Sequence, residues 1–179
     1  DFDLPFAEGR IPEAGEFEQD LPGVAYSAIG QQSVAANPLA MALVTSAIAN
    51  RGVEMQPRLV SEIRDNSGRV VKSFGPQELD RAISSGTARQ LTDMMVSVVE
   101  AGTGTPAQIP GVEVAGKTGT AQHPGGDPHA WFLSFAPADN PRIVVAVVVL
   151  NGGSLGSEAT GGHVAAPIAK SVLETALER

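Results

Sequence analysis

Apolar positions fall into runs of different period along the 179 residues, and the period predicts the elements. Residues 1–33 show no period. Glu8, Glu13, Glu16, Glu18 and Asp20 are interspersed with Gly and with Pro5, Pro12 and Pro22, which predicts an irregular arm running into a loop over 29–34. Asn37-Pro38 then supplies a helix cap and first helical residue. Leu39, Met41, Leu43, Val44 and Ile48 cover most of the circumference up to Asn50, with Gly52 as the stop, so this helix is expected to be buried. Residues 58–64 and 69–74 read as short strands joined at Asp65-Asn66-Ser67-Gly68. A second helix is predicted over 85–100, with Ala88, Leu91, Met95 and Val98 at helical spacing and Gly102 as its end.

After a tight loop over 102–111, three strands follow at 112–122, 130–136 and 142–150. The last is apolar at nearly every position, so both its faces should be covered and its place should be central in the sheet. A glycine-rich connection leads to a final helix over 163–178, with Val164, Ile168 and Val172 on one face and Ala169, Leu173 and Ala176 beside them. Short links between successive strands imply antiparallel pairing. The expected class is α+β, an antiparallel sheet flanked by helices. Within one domain spanning 1–179, residues 1–33 form an arm and loop, 34–111 helices and a hairpin, and 112–179 three sheet strands and the C-terminal helix.

Composition narrows the choices. With six Phe, one Trp and one Tyr, the core should be aliphatic. A net charge of −8 argues against a nucleic-acid-binding surface, so no nucleic acid partner is expected. The absence of Cys removes disulfides, thiolate metal sites and a Cys nucleophile. The longest apolar run, residues 143–150, is far below the roughly 18 residues of a membrane helix.

Candidate chemistry concentrates at Ala115-Gly116-Lys117-Thr118-Gly119-Thr120-Ala121-Gln122. Residues 111–118 satisfy G-x-x-x-x-G-K-[ST], which would make a nucleotide-binding module. The context disagrees: Val112-Glu113-Val114-Ala115 is strand-forming, and Gly119 and Pro124 follow where a helix should start. The same residues contain K-T-G, an element of serine acyl-transfer enzymes that react with β-lactams. That element calls for a strand at a cleft edge. Lys117 would supply a fixed cation, and Gly119 would let a substrate backbone lie close. Thr118 and Thr120 would offer hydroxyls to a carboxylate, the Thr120 N–H would face an oxyanion, and Gln122 would line the cleft. His123, His129 and His163 lack metal-ligand spacing and are expected on the surface or in loops. Trp131 and Phe132 alternate on one strand, so one of them should pack inward, and for both a place in the core is expected ahead of ligand stacking.

Several segments in order share one resemblance: Ile29-Gly30-Gln31-Gln32-Ser33-Val34, Asn37-Pro38-Leu39, Ala47-Ile48-Ala49-Asn50-Arg51-Gly52, Gly102-Thr103-Gly104-Thr105, the K-T-G segment, His129-Ala130-Trp131-Phe132 and Phe135-Ala136-Pro137. From about Gly15 onward the chain resembles the C-terminal half of the transpeptidase domain of class B, monofunctional penicillin-binding proteins. The Ala- and Gly-rich style points to an actinobacterial member of the A type. The chain departs from the family in having neither S-x-x-K nor S-x-N, the motifs that carry the nucleophile and its neighbours.

The resemblance implies a serine D,D-transpeptidase of peptidoglycan synthesis, with Lys117 and Thr120 catalytic and Thr118, Gly119, Thr120 and Gln122 binding substrate. It implies a peptidoglycan stem peptide and β-lactams as ligands, cell-wall synthesis or division proteins as partners, and no metal or organic cofactor. It also implies an extracytoplasmic site anchored to the membrane by a segment outside this chain. A companion N-terminal half should carry the nucleophile and pair with residues 142–150, leaving this chain inactive alone. A non-catalytic β-lactam sensor or scaffold of the same fold is the alternative.

Overall fold

The computed structural model describes residue 5 and residues 7–178. The predicted arm at residues 1–4 and 6 therefore lies outside the described residues. The rest of it is more regular than its prolines suggested, with a 3-10 turn at Ala14–Phe17 and a helix, α1 (Leu21–Ala28). Pro22 sits in the first turn of α1, where an N–H would have no intrahelical partner, so it starts the helix instead of breaking it. Asp20 caps α1 by accepting from the Gly23 N–H at 3.0 Å.

Helix α2 (Pro38–Ala49) begins at the predicted cap: Asn37 Oδ1 accepts from the Ala40 N–H at 2.8 Å. The Gly52 N–H closes it onto Ala47 O with φ +90°. The expected full burial is not seen. Only Thr45 and Ala47 are buried, and Val44 is exposed. Asn37→Ala should remove the cap and lower stability by about 1 kcal/mol, read as a fall in thermal midpoint; an unchanged midpoint would show that the cap contributes nothing.

Strands β1 (Val53–Met55), β2 (Glu62–Arg64), β3 (Val70–Ser73) and β4 (Glu78–Arg81) form two separate two-stranded ribbons, β1 with β4 and β2 with β3. The hairpin turn at Asp65 is as predicted, with the Asp65 carboxylate accepting from the Ser67 N–H and hydroxyl and Gly68 at φ +84°. Its first strand is shorter than expected, because residues 58–61 are not in it. The β1–β4 ribbon leaves no periodic trace in the sequence, because strands of three and four residues are too short to show alternation. Helix α3 (Ser85–Ala101) matches its prediction, capped by Ser84 Oγ and ended at Gly102, but its buried positions are Ala88, Met95 and Val99.

The main sheet comprises β5 (Ala115–Ala121), β6 (His129–Ala136) and β7 (Ile143–Val149) in the order β5-β6-β7, all antiparallel. The expectation of a central final strand is corrected: β6 is central, and β7 has no partner on its outer side among the described residues. Its uniform apolarity comes instead from its two faces. Helix α4 (Ala166–Leu177) follows a π-turn at Gly161–Ala165. It packs Ala166, Ala169 and Leu173 against Phe132 and Val145 on one face. On the other face Val144, Phe135 and Ala115 meet Met95 of α3 and Ile48 of α2. The sheet thus lies between helices, as the α+β class required.

The buried stripe of α4 is Ala166, Ala169 and Leu173, whereas the predicted Ile168 and Val172 are exposed. The core is less aliphatic than composition implied. Phe132 and Phe135 are its largest fully buried side chains, set among alanines.

Candidate functional site

Lys117, Thr118, Gly119 and Thr120 all lie on β5, an outer strand of the three, so the sequence-predicted element is a strand at an edge. Lys117 is mid-strand and no helix starts there, which removes the structural context of a phosphate loop.

The register fixes which groups point where. Lys117 pairs with Leu133, Gly119 with Trp131 and Ala121 with His129. Side chains alternate along a strand, so Lys117 and Gly119 share one face with Leu133 and Trp131, and Thr118 and Thr120 share the other. The first face is thinly covered. Leu133, Trp131, Ala146 and Val148 are only half-buried, and Lys117 is exposed. Phe132 is the one of the pair that packs fully inward, as the alternation predicts, while Trp131 beside it is half-buried on the opposite face. At Gly119 an added Cβ would stand 3.2 Å from Trp131 Cβ, a tight approach, and Trp131 is the neighbour it would press on.

In-plane groups alternate as well: in an antiparallel strand the N–H and C=O of one residue face the same side, and those of the next face the other. Thr118, Thr120 and Gln122 direct theirs away from β6. Lys117 Nζ donates to the Thr118 carbonyl, which brings the ammonium to this outer side. None of the ion pairs among the described residues involves Lys117, so its charge is available to an anion. The Thr120 hydroxyl is on an exposed residue. The Thr118 hydroxyl is tied to the Thr103 hydroxyl at 2.7 Å, which steadies the strand against the loop after α3. Gln122 is exposed, and its N–H is engaged by Gln31.

Three contributors were not singled out from sequence. Gln31 reaches the β5 edge across 89 residues of chain, and Thr103 holds Thr118. Gly161 packs directly on β5 and β6, where an added Cβ would come within 2.1 Å of Trp131 O and 2.9 Å of Gly119 N. Gln31 and Thr103 fall in segments quoted for the resemblance, but nothing in their type or spacing aims them at the strand. Gly161 was one of the glycines expected merely to connect strand and helix.

None of the hydrogen bonds of His123 and His129 reaches Lys117–Thr120. His123 and His129 stack at 4.2 Å between ring centroids at the far end of β5 and β6, and His129 Nδ1 accepts from the Asn151 N–H at 3.0 Å. No cluster of three or more potential metal ligands exists among the described residues. A cavity of about 670 Å³ between α2 and α3, lined by Arg51, Arg89 and Asp93 among others, includes none of the predicted site residues. The site is an open strand edge, not a pocket enclosed by this chain.

Comparison with known proteins bears on the whole arrangement. A family model described as the penicillin binding protein transpeptidase domain matches residues 3–174. The peptidoglycan D,D-transpeptidase PbpA of Mycolicibacterium smegmatis is 42% identical over 163 residues, covering 88% of this chain and 33% of that protein. The ceftriaxone acyl-enzyme complex of penicillin-binding protein A from M. tuberculosis superposes with TM-score 0.89 at 38% identity, over 97% of this chain and 39% of that one. The D,D-transpeptidase domain of a peptidoglycan glycosyltransferase from Eggerthella lenta gives 0.88 at 40% identity, over 99% of this chain and 44% of that one. The chain spans about a third of the length of the curated relative it matches, 33%.

Proposed function

The chain belongs to the penicillin-binding protein transpeptidase family, and from that premise we propose that it forms one wall of the active site of a serine D,D-transpeptidase that cross-links peptidoglycan stem peptides. The observation that carries this is the outer edge of β5, where Lys117 Nζ and the outward N–H of Thr120 lie beside Gly119 on an edge that no strand of the described residues pairs with. Such an edge can take an extended peptide as an added strand, with main-chain hydrogen bonds giving affinity.

In the complete protein a serine supplied from outside this chain gives up its proton and attacks the carbonyl between the two terminal D-Ala residues. The C–N bond breaks, and the last D-Ala leaves with a proton. An amine of a neighbouring stem peptide then resolves the ester. The Thr120 N–H stabilises the oxyanion, and Lys117 stabilises the anionic groups gathered at the edge. Thr118 and Thr120 hydroxyls receive the substrate carboxylate, and Gln122 borders it. β-Lactams enter by the same edge and leave a stable acyl-enzyme. No metal or organic cofactor has a part in this scheme. Because its substrate is peptidoglycan, the reaction takes place outside the cytoplasmic membrane.

The remainder of the protein must also cover surfaces that this chain leaves bare. These are the outer edge of β7, the half-buried face bearing Leu133 and Trp131, and the exposed Ile168 and Val172 of α4. An unpaired apolar edge is a site of aggregation unless something pairs with it. We assign that role to the part carrying the nucleophile.

The test is incubation of the complete protein with benzylpenicillin, followed by intact mass measurement. A single covalent adduct on a serine outside this chain is expected, and the absence of any adduct would refute the assignment. Turnover of D-Ala-D-Ala peptides separates a transpeptidase from a sensor that only holds the β-lactam. Gly119→Val should hinder acylation by holding the ligand off the strand, and labelling at the wild-type rate would mean that no ligand lies there.

A further inference from the structure

The Thr118 hydroxyl does not stand alone on β5. Thr103 Oγ1 lies 2.7 Å from Thr118 Oγ1, so one of the two hydroxyls donates to the other. Thr118 is half-buried and Thr103 is exposed. Neither hydroxyl has another hydrogen-bond partner among the described residues. A hydroxyl carries one proton and two lone pairs, which leaves two arrangements. When Thr118 donates to Thr103, Thr118 shows only lone pairs to a ligand. When Thr103 donates to Thr118, the Thr118 proton is left for an arriving acceptor.

The loop that carries Thr103 is held on both sides. The N–H groups of Gly102 and Gly104 both donate to Val98 O in the last turn of α3, at 3.1 and 2.9 Å. The π-turn before α4 closes over the loop: an added Cβ at Gly162 would stand 2.2 Å from Thr103 O and 3.8 Å from Thr118 Cγ2. Gly162 thus seats that turn against the same two threonines. Both side chains are β-branched, and branching at Cβ restricts χ1. With its neighbours pinned to Val98, Thr103 keeps its hydroxyl on Thr118, and the contact holds Thr118 to the rotamer that makes it.

We propose that Thr103 is a positioning residue for carboxylate recognition: it donates to the Thr118 hydroxyl, so that the Thr118 proton is presented to the carboxylate of an acyl donor. This rests on the assignment of the Thr118 hydroxyl to that carboxylate. An ionised carboxylate only accepts, so its arrival selects the arrangement in which the Thr118 proton points to it. Among the described residues Thr103 is the one placed to donate to Thr118 in that arrangement. The bonds then run in one direction, from Thr103 to Thr118 to the carboxylate, and each polarises the next. The effect is confined to ligands that bear the anion. A neutral primary amide in the same place offers its own N–H to the Thr118 oxygen, and Thr118 then donates to Thr103 instead.

The experiment uses the complete protein and two synthetic thioester acyl donors with the same acyl group. In one the thiol leaving group ends in a carboxylate, and in the other that carboxylate is a primary amide. Thiol release gives kcat and KM for each. Thr103→Val keeps the branched shape and removes the hydroxyl. It should lower kcat/KM for the acid about tenfold, the worth of one hydrogen bond to a charged group, and leave the amide within about twofold. The loss should appear in KM with kcat kept, since the carboxylate is held alike in ground and transition states. Thr103→Ser keeps the hydroxyl and should retain the wild-type ratio of acid to amide. In a Thr118→Val background Thr103→Val should cost nothing further, because the proton it orients is gone. The ratio is taken within each variant, so a smaller folded fraction cancels. The proposal is overturned if Thr103→Val slows both donors by the same factor, leaves the wild-type ratio, or costs as much with Thr118→Val as without it. A wild-type ratio in Thr118→Val alone would instead overturn the assignment of Thr118 to the carboxylate, on which the proposal rests.

Discussion

Replacing Lys117 with alanine in the complete protein is expected to slow acylation by benzylpenicillin about 10²–10³-fold, with the fold unchanged. The side chain is exposed and its only described bond is to the carbonyl of the next residue, so little packing depends on it. What is lost is a cation on the strand edge with no carboxylate of its own within ion-pair distance among the described residues. A free charge of this kind is worth more to an arriving anion than one already neutralised, because no internal pair must be broken first. The loss should appear in the acylation step, measured by stopped labelling at several antibiotic concentrations, with an unaltered circular dichroism spectrum. Acylation within a few-fold of wild type would show that the cation lies away from the developing charge.

Gly161→Ala is expected to cost about 3 kcal/mol of stability, the upper end of the usual cost of overpacking, and to depress acylation with it. The methyl group would stand 2.1 Å from Trp131 O and 2.9 Å from Gly119 N and O, all backbone atoms that cannot swing aside. The π-turn that opens α4 would have to lift from the sheet at the point where β5 presents Gly119. Gly75→Ala is the matched control, since an added Cβ there meets nothing within 4 Å. Surface changes of that kind usually stay within about 0.5 kcal/mol. Equal stability of the two variants, measured by thermal and denaturant unfolding, would show that the close approach of α4 to the strand is dispensable.

These two residues differ in how far they could be understood without coordinates. Lys117 belongs to a short element that can be proposed from sequence because it needs a particular order of residue types on a strand, and strand periodicity is local. The same locality made α2 and α3 legible: Asn37 and Ser84 bond to backbone three residues away, and Gly52 and Gly102 end their helices within the next turn. The three sheet strands were legible for the same reason, and the ordered segments of resemblance extended that to the family.

Position within the sheet was not legible. An all-apolar strand is consistent with a central place or with helices on both faces, and β7 has the second without the first. Nor could the burial of α2 be judged, since circumference-wide apolarity states what a helix would bury, not what is present to bury it. The functions of Gln31, Thr103 and Gly161 depend on contacts spanning 89, 15 and 42 residues, respectively, to Thr120, Thr118 and Gly119. Caps, turns and periodicity are properties of a dozen neighbouring residues, and the sequence by itself determined those, together with the element to which we assign the chemistry. Which side chains meet the strand edge, and how much of that edge stays open, were decided only when distant segments packed against it.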